Sequence, residues 1–243
     1  MVHKSTHHFD LVNWWLDAIP AQVFAYGDLA YYGRANAIRR GDDAWTTYPR
    51  YTGQSRADDP FAFSLEKDFF REAYLEAEQE SGYIRDRNVF REDITIEDTM
   101  SVLVKYRAGQ TLGYTLTAFN SIEGLFVSLI GDRGRIEYSE LHQGAGLKTG
   151  PRLLLMPHFQ DVQEILVHIP EEGHGGGDVV LAERIFGSLN QPDPLGRDAG
   201  VEQGIISALT GIAANQSIES NRPVNLSDLV SIGSEAVSLH ELV

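Results

Sequence analysis

No cysteine occurs among the 243 residues. Disulfides, thiolate metal centres and cysteine nucleophiles are therefore excluded together, and the core rests on packing alone. Positive charge is scarce as well: 20 Lys and Arg stand against 35 Asp and Glu, a formal net charge of -15. A surface that tracks a nucleic-acid backbone needs clustered cations to displace counterions, so no nucleic-acid partner is expected. Long apolar runs are missing too. No stretch approaches the length that spans a bilayer, and the N-terminal segment with His3, Lys4, His7 and His8 lacks the apolar core of a signal peptide. The expectation is a soluble cytoplasmic protein without a membrane partner. There is no Gly-x-Ser-x-Gly elbow for a serine hydrolase and no Gly-x-Gly-x-x-Gly fingerprint to cradle a pyrophosphate. Carboxylates are plentiful, but nothing in their order fixes the separation that a glycosidase pair requires.

What is present suffices for one large domain, 1–243, since 42% of residues are hydrophobic and 23% charged. Phe9, Val12 and Leu16 recur at helical spacing until Pro20, which predicts a buried helix over about 7–17. Gln22 to Tyr32 reads as a first strand closed by Gly33, and 34–60 as an ordered excursion anchored by its Trp and Tyr residues. Ser64 is placed to cap a helix that ends near Gly82, with Leu65, Phe69, Ala73 and Ala77 on one face. The period then changes. Met100, Val102, Val104 and Tyr106 alternate with polar residues, Ala108-Gly109-Gln110 offers a turn, and Leu112, Tyr114 and Leu116 alternate again, which predicts an antiparallel hairpin. Strands are expected at 125–130, at 135–141 after the turn Gly131-Asp132-Arg133-Gly134, and at 163–169 beyond an ambiguous segment. Asp178 is placed to cap a short helix through Phe186, and Asp198 or Gly200 opens a longer one that Pro223 ends. Consecutive strands with helices bunched at the two ends describe an α+β fold with a large, mainly antiparallel sheet.

Four segments carry a resemblance to a known family: HKSTHHFDLVNWW (3–15), GYIRDRNVFREDITIEDTMSVLVKY (82–106), SIEGLFVSLIGDRGRIEY (121–138), and EEGHGGGDVVLAERIF (171–186) followed by GIAANQSIESNRPVNLSDLV (211–230). In this order they resemble the C-terminal domain of the glucose-fructose oxidoreductase / inositol dehydrogenase / MocA (Gfo/Idh/MocA) family. The resemblance implies a sheet with helices on one face, the other face commonly pairing with a second subunit. It also implies a sugar or polyol substrate and, for the complete enzyme, NAD or NADP held by a Rossmann domain that precedes this segment. Only Met1 precedes it here. The chain is therefore expected to be the substrate-binding and oligomerisation half of such an oxidoreductase, a fragment or a split chain, binding no cofactor alone. A separate Rossmann-domain chain is a candidate partner, and a homo-oligomer through the sheet face is expected. The alternative is a standalone carbohydrate-binding or scaffold module.

The family's Asp-x-x-x-His pattern, laid on this sequence, puts His7 on the catalytic histidine and His3 where the aspartate should be. The resemblance thus implies His7 as the proton acceptor, since an imidazole titrates near working pH, with Lys4 as a donor to the developing alkoxide. His3, Lys4 and His8 can equally just dress a helix N-terminus. His3 and His7 lie four apart with Asp10 as the only close third ligand, which is thin support for a metal site. Asp10 can bind a sugar hydroxyl or satisfy backbone N–H groups, and Trp14 and Trp15 suit a core. His174 precedes three glycines that free the backbone to approach a substrate or simply to turn. Glycines 173 and 175–177 precede Asp178, which would repel a phosphate, so they are not read as a nucleotide loop. Glu97-Asp98-Thr99 opens a strand and can face a sugar or serve structure.

Overall fold

The computed structural model describes residues 1–54, 58–143, 150–171, 173–187, 192–231 and 235–242, and among these every strand pairing is antiparallel. Helix α1 (Ser5–Leu16) leads into β1 (Pro20–Asp28), followed by α2 (Arg34–Arg40), α3 (Asp68–Phe70), a π-helical turn (Arg71–Glu76) and α4 (Glu78–Ser81). Six strands follow: β2 (Thr99–Tyr106), β3 (Thr111–Thr117), β4 (Glu123–Gly131), β5 (Gly134–Gln143), β6 (Gly150–Pro157) and β7 (Gln163–Ile165). Helices α5 (Gly177–Phe186) and α6 (Val201–Ser220) and the short β8 (Val224–Asn225) come last. The α+β class and the antiparallel pairing are as expected. The strands divide into two four-stranded sheets, β3-β2-β1-β8 and β4-β5-β6-β7, and the chain into two compact units, Met1–Phe119 with Ala199–Val243, and Asn120–Asp198.

In the first unit the alternation of β2 does what it predicts. Met100, Val102, Val104 and Tyr106 are buried while Ser101, Leu103 and Lys105 face outward. Val104 pairs with Val23 and Val102 with Ala25 on β1, and α1 and α6 close the inner face with Phe9, Ala213 and Ala214. Each fully buried Val or Phe contributes roughly 1.5–3 kcal/mol of transfer free energy. Small residues let α6 lie close on β1: a Cβ at Gly27 would stand 2.8 Å from Ile218 Cδ1, and the Ala25 N–H donates to Ser217 Oγ at 2.9 Å. Helix α1 ends one residue before Asp17, whose left-handed backbone (φ 44) donates its N–H to Asn13 and Trp14 carbonyls.

The excursion after β1 is ordered, as expected, with Tyr48 and Tyr51 buried and Trp45 packed on Phe61 and Phe90, ring centroids 6.1 and 5.9 Å apart, and polar side chains tie its backbone. The Asp98 carboxylate, 3% exposed, accepts the N–H groups of Ala30, Tyr31 and Tyr32 at 2.8–2.9 Å, which gives it a structural task. Buried Asn88 donates to the carbonyls of Trp45 and Tyr48 and accepts the Phe90 N–H. Asp86 takes Arg50 and the Thr52 N–H, and Arg50 also holds Glu78. Helix α2 lies in this excursion with only Ala37 buried, too little apolar signal to show in the sequence. The helix expected from Ser64 begins only at Asp68. Ser64 Oγ instead accepts the Glu66 N–H in a local turn, and the proposed apolar face breaks up because Leu65 is buried while Phe69 is 69% exposed. Its end at Gly82, φ 67, is where it was expected.

In the second unit the tight turn between β4 and β5 pairs Gly131 with Gly134, and a Cβ on Gly134 would strike the Met156 carbonyl at 2.3 Å. Strand β6 fills part of the segment read as ambiguous, and β7 stops at Ile165, short of the expected Ile169. Asp178 does not cap α5. Gly176 holds that position with φ 85, and Asp178 lies inside the first turn.

Candidate functional site

The first turn of α1 is where the sequence concentrates polar chemistry. Lys4 stands at its N-cap without any side-chain cap, and the turn holds no acidic residue. Ser5, Phe9 and Asn13, four apart, point inward, while His7, Leu11 and Trp15, also four apart, point outward, Leu11 and Trp15 being 41% and 39% exposed. His3 and Lys4 are exposed and Asp10 is half-buried. His7 and Asp10 thus lie in the first two turns of the helix, with Lys4 at its N-cap and His3 in the turn before it, although no hydrogen bond joins the four among the described residues. Burial raises the Asp10 carboxyl above the usual carboxylate range, with the charge of His7 working the other way. Among the described residues no three His, Asp or Glu side chains are placed to hold a metal ion.

His8, which the sequence offered only as dressing for the helix start, has a built environment. Its Nδ1 lies 2.9 Å from the Tyr114 hydroxyl on β3, and that hydroxyl donates to Ser5 Oγ at 3.2 Å. The Tyr114 ring packs on Phe9 and His8 with centroids 5.2 and 5.7 Å apart. Burial, then the charges of His7 and Lys4, push the His8 imidazole below its ordinary range, and burial raises Tyr114 against its bond to Ser5. A buried tyrosine hydroxyl seeks a partner, and this need at an inward position of β3 was the available signal.

His174 belongs to the second unit. Its backbone is left-handed (φ 48), its side chain 86% exposed, and its Nδ1 lies 2.8 and 2.9 Å from the two oxygens of Asp178. The glycines around it answer to steric need: a Cβ on Gly173 would lie 2.5 Å from Asp178 Oδ2, and one on Gly175 2.8 Å from Ile169 Cγ2. Glu172, in the same motif, lies outside the described residues. A carboxylate thus occupies the mouth of this glycine turn, so it does not fit a dinucleotide pyrophosphate. An open trough of about 350 Å³ runs over the β4-β5-β6 face, lined by Phe126, Ser128, Arg135, Glu137, Arg152 and Leu154.

The antiparallel α+β architecture is that of the C-terminal domain of an oxidoreductase family. Residues 1–226 match the family described as the oxidoreductase family, C-terminal alpha/beta domain, and the chain belongs to this Gfo/Idh/MocA family. YteT of Bacillus subtilis (strain 168), a protein named provisionally as an oxidoreductase, is 36% identical over 248 residues, covering 94% of this chain and 56% of YteT. Among solved structures, a provisionally named NADPH-dependent oxidoreductase from Desulfitobacterium hafniense superposes with TM-score 0.51 at 12% identity, over 94% of this chain and 48% of that one. A super-repressor mutant of Gal80p from Saccharomyces cerevisiae gives TM-score 0.51 at 9% identity, over 93% and 50%. At these identities the structural likeness shows the fold alone. The chain spans about half the length of the relatives it matches. Among the described residues no helix is long and apolar enough to cross a membrane.

Proposed function

We propose that this chain is the substrate-binding and oligomerising half of an NAD(P)-dependent sugar or polyol oxidoreductase, completed by a nucleotide-binding half. The observation that carries the reading is the outward stripe of α1 in a chain of this family: His7 is exposed on the same face as Leu11 and Trp15, an apolar strip with a base at its end, ready to be covered. In this reading His7 takes the proton from the substrate hydroxyl being oxidised. Lys4, three residues away, hydrogen-bonds the alkoxide as charge develops, and Asp10 and His3 each contact another substrate hydroxyl. His174 is proposed separately as a hydroxyl contact through Nε2, since Asp178 holds Nδ1. NAD or NADP is assigned to the other half, because the glycine turn at 173–177, with Asp178 at its mouth, does not fit a pyrophosphate. The apolar sheet faces favour a homo-oligomer, and the composition suits a cytoplasmic protein.

The test is to supply a nucleotide-binding half, fused or in trans, and to follow sugar-dependent reduction of NAD(P). His7→Ala should then lower kcat by about a hundredfold to ten-thousandfold, with a smaller loss for Lys4→Ala. An undiminished kcat in His7→Ala removes the assignment of the base. Calorimetry on the chain alone should register no binding of NAD or NADP, and micromolar affinity would overturn the division of labour. A specific observation favours one second reading: His3 replaces the aspartate that the resemblance calls for. A carbohydrate-binding or scaffold module without redox chemistry would bind sugar unaided and yield no turnover with any added half.

A further inference from the structure

Resting on the reading of His7 as the proton acceptor, we propose that Tyr114 is a positioning residue. Its hydroxyl bridges Ser5 and His8, holds His8 as the Nδ1–H tautomer, and pins the uncapped first turn of α1 so that His7 is presented in one orientation. The usual means of fixing a helix start are missing here. No side chain caps the turn and no acidic residue stands in it; the Ser5 and His7 N–H groups donate instead to the Met1 and Lys4 carbonyls at 3.1 and 3.3 Å, bonds that last only while the turn is held in place. A chain of side chains from helix to strand takes over that task.

The order of protons along this chain is set by the Tyr114 hydroxyl giving its hydrogen to Ser5; the reverse order, Ser5 to Tyr114 and Tyr114 to His8 Nδ1, would put the ring hydrogen on Nε2. Ser5 Oγ lies 3.9 Å from Met1 Sδ, an acceptor with no proton of its own, so the Ser5 hydrogen has a place to go. Tyr114 carries one hydroxyl hydrogen and gives it to Ser5 at 3.2 Å. What Tyr114 still offers is a lone pair, and the atom 2.9 Å from it is His8 Nδ1, which must then bear the hydrogen. His8 Nε2 is left unprotonated. The depression of His8 by burial agrees with a neutral ring at working pH. The Tyr114 ring is seated independently by Phe9, so loss of the hydroxyl leaves its packing intact.

The experiment is long-range proton–nitrogen NMR of the histidine rings in the full chain, together with amide exchange, for the parent protein, Tyr114→Phe and Ser5→Ala. The parent should show His8 with Nε2 unprotonated. Ser5→Ala removes the acceptor of the Tyr114 hydrogen, which can then turn to Nδ1, so His8 should switch to the Nε2–H tautomer although nothing that touches it has changed. Tyr114→Phe should give a mixture of tautomers. In both variants the Ser5 and His7 amides should exchange about tenfold faster relative to the rest of α1, the effect of about one hydrogen bond. A parent protein with Nε2–H on His8, a tautomer unmoved by Ser5→Ala, or unchanged exchange would each overturn the proposal. These readouts need no enzyme activity. Failure to reconstitute turnover would count against the oxidoreductase reading and leave Tyr114 in place, and the reverse holds equally.

Discussion

Strands β2 and β4 are both rich in apolar residues, yet they end in opposite situations. On β2, Val102 and Val104 are 1% exposed beneath α1 and α6. On β4, Phe126 and Ile130 are 75% and 76% exposed, and no apolar side chain described between Asn120 and Asp198 belongs to the buried core. The same unit exposes Leu166 at 95% and, along α5, Leu181, Ile185 and Phe186 at 55–84%. Apolar residues in a strand therefore build a sheet but do not supply its cover. In the first unit the chain supplies it. In the second, exposed apolar area on this scale is what association surfaces look like, and it supports the proposed homo-oligomer.

Mutation can break this comparison most directly in the core. Phe9→Ala should cost about 3–5 kcal/mol, read as a fall in the urea midpoint, because it opens a cavity in a closed unit. Phe126→Ala, the same chemical change on the open sheet, should cost less than about 0.5 kcal/mol in a dilute unassociated chain. Equal losses at the two positions would erase the distinction drawn here.

A second measurement sharpens the contrast through charge. Burial opposes ionisation of Asp86, but hydrogen bonds from Thr52 and Arg50 outweigh it and hold the carboxyl below its usual range. A group depressed in the folded state stabilises it above the unfolded value and loses that contribution as pH falls through the folded value. Asp86→Asn should therefore destabilise the protein by roughly 1.5–3 kcal/mol at pH 7, with the difference shrinking in the acid range below about 4. A difference that grows toward low pH would show that the carboxylate is not the stabilising form.

The smallest expected effect bears on association alone. Light scattering should find a dimer or larger, and Phe126→Asp with Ile130→Asp should weaken it tenfold or more, about 1.4 kcal/mol, while the folding midpoint stays put. A stable monomer of the parent protein at micromolar concentration would remove the need for a partner on that sheet.

Legibility followed the kind of force involved. The hairpin of β2 and β3, the Gly131–Gly134 turn and the extent of α1 could be read because period and turn chemistry are local signals. The order of the excursion between β1 and β2 could be read from its aromatics but its bonding could not, since Asp98, Asn88 and Asp86 act on backbone groups up to 68 positions away and such bonds leave no spacing in the sequence. Strand β6 was obscured by Leu153, Leu154 and Leu155, a continuous apolar run that fits helix or strand equally. At the candidate site, the first turn of α1 was recognisable from its histidines. The bond from His8 to Tyr114, 106 residues away, was not.

The first unit is interrupted in sequence: α6, which closes its core, is encoded after the whole of Asn120–Asp198. On a ribosome adding about 5–20 residues per second, α1 and β1–β3 would emerge roughly 4–16 s before the helix that shelters them. During that interval Val23, Val102 and Val104 are without Ala213 and Ala214, and the nascent chain offers a sticky sheet to whatever is nearby. Yield at high synthesis rates should accordingly depend on holdase chaperones more than the stability of the finished protein would suggest. A circular permutant that begins at Ala199, with the old termini joined, would deliver α6 first and relieve that dependence.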